Sequence, residues 1–271
     1  MKMTPLLDTA ERDKRAYNLA FEYLLKTDRR VTLEIIKKHL TTPPRPNDIR
    51  IIFRRVIMSA KNGGMKPNVI GKDKDIDNLK EILCGYNPST IIQYYHGNSQ
   101  ELLDCFIIEK AKMGRTISTT PRSIWRSYCR SIIEGAYFLN RFSTPQEFHD
   151  FVSIFHDNPV ALPALPLLLA EEIHGFGFAL ACDFLKEIGY QNFSKPDTYL
   201  KEILPKLELS KNCDDLVVFR AVTRIAANAA TTAFAVDKLF WLIGSGKFYL
   251  SDLEIGRHTD DFIDWAKPKL K

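Results

Sequence analysis

Leu169-Ala170-Glu171-Glu172-Ile173-His174-Gly175-Phe176-Gly177-Phe178-Ala179-Leu180-Ala181-Cys182-Asp183-Phe184-Leu185 is the stretch on which the reading of this 271-residue chain turns. An apolar helical pattern with Leu168, Leu169 and Ile173 runs into Gly-x-Gly, and a second one restarts at once with Ala179, Leu180 and Leu185. The pattern predicts helix, tight turn, helix. Glycine at 175 and 177 supplies backbone freedom and removes side-chain bulk, so the amides opening the second helix can approach an anion closely. No strand precedes this Gly-x-Gly and no third glycine follows at the dinucleotide spacing, which sets a nucleotide-cofactor fingerprint aside. An ordinary turn between two helices gives the same pattern.

The next segment adds to it. The second helix is expected to end at Ile188-Gly189-Tyr190, a loop Gln191-Asn192-Phe193-Ser194 follows, and Lys195-Pro196-Asp197-Thr198 opens another helix. Asp197 therefore falls at a helix N-terminus just beyond a proline, where a carboxylate caps amides or serves chemistry.

Working outward, hydrophobic spacing is helical almost throughout, as in Ala16, Leu19, Ala20, Tyr23 and Leu24 or Val236, Leu239, Phe240 and Ile243. Strand alternation is missing, so the expected class is all-α with roughly ten or more helices. Thr42 to Asn47 reads as a break between helices, and Ser143-Thr144-Pro145-Gln146-Glu147 as a helix start with proline at its first position. Lys61 to Asp77 reads as a loop whose Lys61, Lys66, Lys72 and Lys74 can touch phosphates or simply face water. Beyond Met113-Gly114-Arg115, Arg122, Arg126 and Arg130 recur every four residues, opposite Trp125, Cys129, Ile132 and Ile133. That stripe suits a phosphate track or the wet face of an amphipathic helix equally well.

Composition sets bounds. With 38 Lys and Arg against 33 Asp and Glu, the net charge of +5 tilts only weakly toward an anionic partner. The five cysteines are odd in number and at least 21 residues apart, which argues against a disulfide framework and fits a reducing cytoplasm. The first residues lack a signal-peptide pattern, and no apolar run is long enough for a bilayer, so a cytoplasmic, non-membrane protein is expected. The six histidines offer no metal-ligand pair with a nearby acid, and neither Gly-x-Ser-x-Gly nor a phosphate-binding lysine loop occurs.

From Ile173 to Ala181, followed by Pro196-Asp197-Thr198-Tyr199, the chain resembles the helix-hairpin-helix DNA glycosylase superfamily. That group contains endonuclease III, the mispaired-adenine glycosylase and the alkylpurine glycosylases. The family hairpin reads roughly Leu-Pro-Gly-Val-Gly-x-Lys-Thr-Ala and is followed by Pro-Asp or Val-Asp with Thr. The 18 residues from Ala179, at the lysine position, to Asp197 match its spacing. Ser118-Thr119-Thr120 and Phe142 to Phe148 are similar to the family's opening helix and its Thr-Pro turn. The likeness spans about residues 115 to 245 and is strongest over 169 to 200.

The resemblance implies a helix-hairpin-helix glycosylase core over residues 113–271, with an additional N-terminal helical region over 1–112. It implies double-stranded DNA bearing a damaged or modified base as partner, a monomer, and a nucleoid association in a prokaryote. His174, Gly175, Phe176, Gly177, Lys195, Arg122 and Arg126 would contact DNA. Asp197 would be catalytic, stabilising positive charge on the deoxyribose of a flipped nucleotide and orienting water. Trp125, Tyr128 and Trp241 would line the base pocket, with Tyr137, Phe176 and Phe178 as further aromatic candidates. Ala179 in place of the lysine nucleophile implies a monofunctional enzyme, and the missing four-cysteine loop implies no iron–sulfur cluster; no cofactor or metal is expected. Two alternatives stand beside this: a non-catalytic hairpin protein that only binds DNA, and a glycosylase for hypermodified bases of foreign DNA. A helical interaction module with no nucleic-acid role is a further rival.

Overall fold

Polar caps punctuate the helices. In the computed structural model, which describes residues 8–63, 79–112, 117–118 and 120–271, Thr144 Oγ1 accepts the Glu147 amide at 3.2 Å while Glu147 Oε2 accepts the Ser143 amide at 2.8 Å. This reciprocal pair, with Pro145 in the first turn, starts its helix where the Ser-Thr-Pro sequence predicts. Asp48, one residue past the expected break, caps the helix that follows it. Lys66, Lys72, Lys74, Arg115 and Thr119 lie outside the described residues, whereas Lys61 ends a helix and is buried.

The chain is all-α in class, with 13 α-helices among the described residues. They are α1 (Thr9–Thr27), α2 (Leu33–Leu40), α3 (Ile49–Lys61), α4 (Pro88–Tyr94), α5 (Ser99–Lys112), α6 (Ile124–Leu139) and α7 (Pro145–His156). After these come α8 (Ala164–Glu172), α9 (Phe178–Glu187), α10 (Thr198–Lys206), α11 (Asp215–Asn228), α12 (Ala233–Ser245) and α13 (Thr259–Ala266). One antiparallel pair, β1 (Lys247–Phe248) and β2 (Leu253–Glu254), sits between α12 and α13; strands of two residues are too short to carry alternation.

Two compact units form, one from Met1–Pro43 with Gly189–Lys271, the other from Pro44–Ile188. The expected boundary at 112/113 thus falls inside the second unit. Its reason is packing: Phe106 of α5 meets Trp125 of α6 at 5.4 Å between ring centres, so helices on either side of that boundary share one core.

In the first unit α12 is the axis. Every position except Trp241 is buried, which places a helix apolar nearly all round at the centre of α1, α2, α10 and α11. In the second unit α6 has that place, against α3, α4, α5 and α8. There α9 is fastened to α3 by Asp183, whose carboxylate accepts from Arg55 Nη2 at 2.7 Å and Ser59 Oγ at 3.0 Å. A buried carboxylate is tolerable only with such donors.

Candidate functional site

The hairpin forms as predicted, with α8 and α9 joined by residues 173–177. Gly175 has φ +77°, and a Cβ there would come within 2.9 Å of Ser127 Oγ and 3.0 Å of Ser131 Oγ. Only glycine meets both demands, the left-handed backbone and the contact with α6. Gly177 is different: its φ of −90° is ordinary and nothing lies within 4 Å of its missing Cβ. It is the N-cap of α9, which no side chain of the described residues caps. Phe176 is 4% exposed, and its ring packs inward.

Two side chains of α6 grip the turn by the same peptide residue. Glu134 Oε2 accepts the His174 N–H at 2.5 Å, and Ser131 Oγ donates to the His174 carbonyl. Glu134 also takes Arg130 Nε at 2.7 Å through its other oxygen. A third tie, the two-pronged pair of Arg141 with Glu172, joins the end of α6 to the end of α8. Neither Ser131 nor Glu134 stood out in the sequence. Glu134 is the first acid after a basic run, but its partner lies 40 residues on, and that register is set by packing.

The arginine stripe is partly helical. Arg126 and Arg130 lie on α6, while Arg122 precedes the N-cap Ser123. All three nevertheless line one open groove of about 610 Å³, together with Ser127 and His174. The opposite side of α6 is core as expected, with Trp125, Cys129, Ile132 and Ile133 buried. For Trp125 and Tyr128 this corrects the base-pocket expectation. They are 5% and 2% exposed, and Phe106 packs on them at 5.4 and 6.2 Å. Burial also drives the Tyr128 hydroxyl far above its ordinary pKa. Neither ring has a free face for a base. Phe178 is likewise buried, whereas Tyr137 is exposed.

Asp197 and Lys195 belong to the first unit, as does Trp241. Asp197 is the N-cap of α10, its Oδ1 accepting the amides of Tyr199 at 2.9 Å and Leu200 at 3.0 Å. The loop before it is pinned to the start of α12. Gln191 gives its carbonyl to the Phe234 amide at 2.9 Å, and the Lys195 amide donates to the fully buried carboxylate of Asp237. Asp197 thereby has a fixed position and a fixed rotamer, which a cap and a catalytic carboxylate both need. Trp241 stands half-buried beside Tyr249, and the Lys238 ammonium lies 5.8 Å from its ring centre and 5.2 Å from that of Tyr249. The chain's own cation occupies this aromatic cluster.

Among the described residues no group of His, Cys, Asp and Glu converges as a metal site, and no helix is long and apolar enough to cross a membrane. Comparisons with protein families, with curated proteins and with solved structures find no match.

Proposed function

We propose that the chain is a monofunctional DNA glycosylase of the helix-hairpin-helix kind, which hydrolyses the N-glycosidic bond of a flipped, damaged or modified base. The observation that carries the reading is the hairpin itself: a left-handed Gly175 held on α6, then a helix start at Gly177 that no side chain of the described residues caps. Such a start favours a phosphate through its amides and its dipole. The resemblance supplies the second part, a Pro-Asp-Thr at the family's distance from the hairpin, and the rigid seating of Asp197 supports it.

In this mechanism the hairpin holds the backbone of the distorted strand. The Asp197 carboxylate stabilises the oxocarbenium-like sugar as the base departs and orients the water that replaces it. Ala179 has no amine to form a Schiff base, so the product is an intact abasic site. Arg122, Arg126 and Lys195 add positive charge toward DNA, His174 adds a ring donor, and Trp241 is the aromatic candidate that packing leaves partly exposed.

The test is mass spectrometry of bases released from a panel of modified duplexes. The reading expects release by the full chain, none by Asp197→Asn, and binding by both. Absence of release across the panel with salt-sensitive binding retained favours a hairpin protein that only binds DNA. A covalent adduct trapped with borohydride overturns the monofunctional assignment.

A further inference from the structure

The groove beside the hairpin is more than the exposed side of a helix. It is concave, and at about 610 Å³ it has room for roughly 20 waters at about 30 Å³ each, enough for a phosphate with its sugar. Its floor is the N-terminus of α6, a helix of 16 residues with no acid in its first turn. The helix dipole therefore presents its positive end there. Around that end stand Arg122, just before the N-cap, and Arg126, with Arg130 one four-residue step or about 6 Å further along the axis.

Several donors in this groove are unspent. Arg126 Nη1 donates to Gln100 Oε1 at 2.9 Å, but among the described residues the Arg122 guanidinium and the His174 imidazole have no hydrogen-bond partner, and Ser123 accepts the Trp125 amide without donating its own proton. The Ser127 hydroxyl, which also lines the groove, donates to none of the described residues. Of the acids near these residues in sequence, Glu134 is divided between Arg130 and the His174 amide, and Glu172 is paired with Arg141. A concave site lined by Arg122, by Arg126 and by Arg130 in its pair with Glu134, at a helix N-terminus and beside hydroxyl and imidazole groups, is complementary to a tetrahedral oxyanion.

We infer that this groove binds a phosphate group, and that the phosphate is one of a nucleic-acid strand, next to the one held at the hairpin. His174 belongs to both places, since it lines the groove and opens the turn, which makes neighbouring phosphates of one strand the natural occupants. The inference rests on the DNA-binding half of the reading above and is independent of base excision.

Affinity for a 20-base-pair duplex is measured against salt for the full chain, for Arg122→Gln/Arg126→Gln, and for Lys80→Gln as an exposed charge control outside the groove. The logarithmic salt slope is expected to lose about 1 in the double variant, for the one phosphate the two arginines share, and to change little in the control. In a second arm, inorganic phosphate titrated into the full chain is expected to compete with the duplex weakly and to lose that effect in the double variant. An unchanged slope in the double variant, with affinity lost on Gly177→Ala, removes the groove from the interface while leaving the hairpin reading intact. Phosphate binding that needs the arginines in a chain that does not bind the duplex overturns the nucleic-acid source in favour of a small phosphate ligand. No binding in either arm overturns the groove and DNA binding together, and failure of base release alone touches only the chemistry of Asp197.

Discussion

Substituting alanine at the two hairpin glycines should produce opposite phenotypes. At Gly175 the φ of +77° costs an alanine roughly 1–2 kcal/mol. Its methyl also meets Ser127 Oγ at 2.9 Å and Ser131 Oγ at 3.0 Å, and Ser131 cannot rotate away without losing its bond to the His174 carbonyl, about another 1 kcal/mol. The sum is about 2–3 kcal/mol, which at roughly 2–4 °C per kcal/mol lowers Tm by roughly 5–10 °C. At Gly177 the φ is −90° and the space is empty, so the weaker N-cap and the stiffer unfolded chain nearly cancel. Stability should stay within about 0.5 kcal/mol of the original. The methyl nevertheless stands in front of the first amides of α9, and duplex affinity should fall roughly tenfold, about 1.4 kcal/mol. Thermal unfolding and the anisotropy of a labelled duplex read the two effects separately. A Gly175→Ala variant melting within about 1 °C of the parent would refute the left-handed turn. Undiminished binding by Gly177→Ala would refute the use of those amides.

Three further predictions follow from other parts of the molecule. Asp197→Asn keeps a capping oxygen and should leave Tm nearly unchanged while base release is lost; Asp197→Ala should also cost about 1 kcal/mol of stability in urea unfolding. Equal base release by Asp197→Asn and the parent would reduce Asp197 to a cap. Burial lowers the pKa of His39, whose ring donates to Ile35 O at 2.8 Å and accepts the Leu250 amide at 3.1 Å. Because the unfolded histidine takes up its proton first, this contribution is complete above about pH 6.5 and is lost as pH falls through the lower folded value. Urea midpoints at pH 7.5 and pH 5 should differ, and His39→Gln should narrow the difference; an equal difference in the variant counts against the assignment. Asp183→Ala removes the carboxylate facing Arg55 and Ser59 and should destabilise by roughly 3 kcal/mol in urea. An unaltered midpoint would show that α9 is held to α3 by apolar packing alone.

What the sequence disclosed and what it withheld divide by range. The hairpin, the caps at Thr144 and Asp197 and the two faces of α6 are decided within one or two helical turns, so residue order was sufficient for them. The same local reading already held the evidence against Trp125 and Tyr128 as base-pocket residues. They stand three and four residues from Cys129, Ile132 and one another on the apolar stripe, and core is what that periodicity means. The division into units was not legible. It depends on α1 packing with α11 and α12, nearly two hundred residues away, and each of those helices has an apolar face that would suit several partners.

The clamp on His174 was hidden for a further reason, and it bears on how the hairpin can work. A turn that binds an anion with backbone amides must keep those amides aimed without a ligand to aim them, because ordering them on binding would cost much of the affinity gained. Here the turn is held by its neighbour. Ser131 and Glu134 take the carbonyl and the N–H of one turn residue, one helical turn apart on α6. Arg130 then steadies Glu134 from the same helix. Since α6 also carries the groove's arginines, the spacing between the hairpin and the cations is fixed by a single rigid element. Disturbing Glu134 should therefore affect both proposed anion sites at once, by releasing the hairpin on one side and Arg130 on the other, whereas disturbing Arg122 should affect the groove alone.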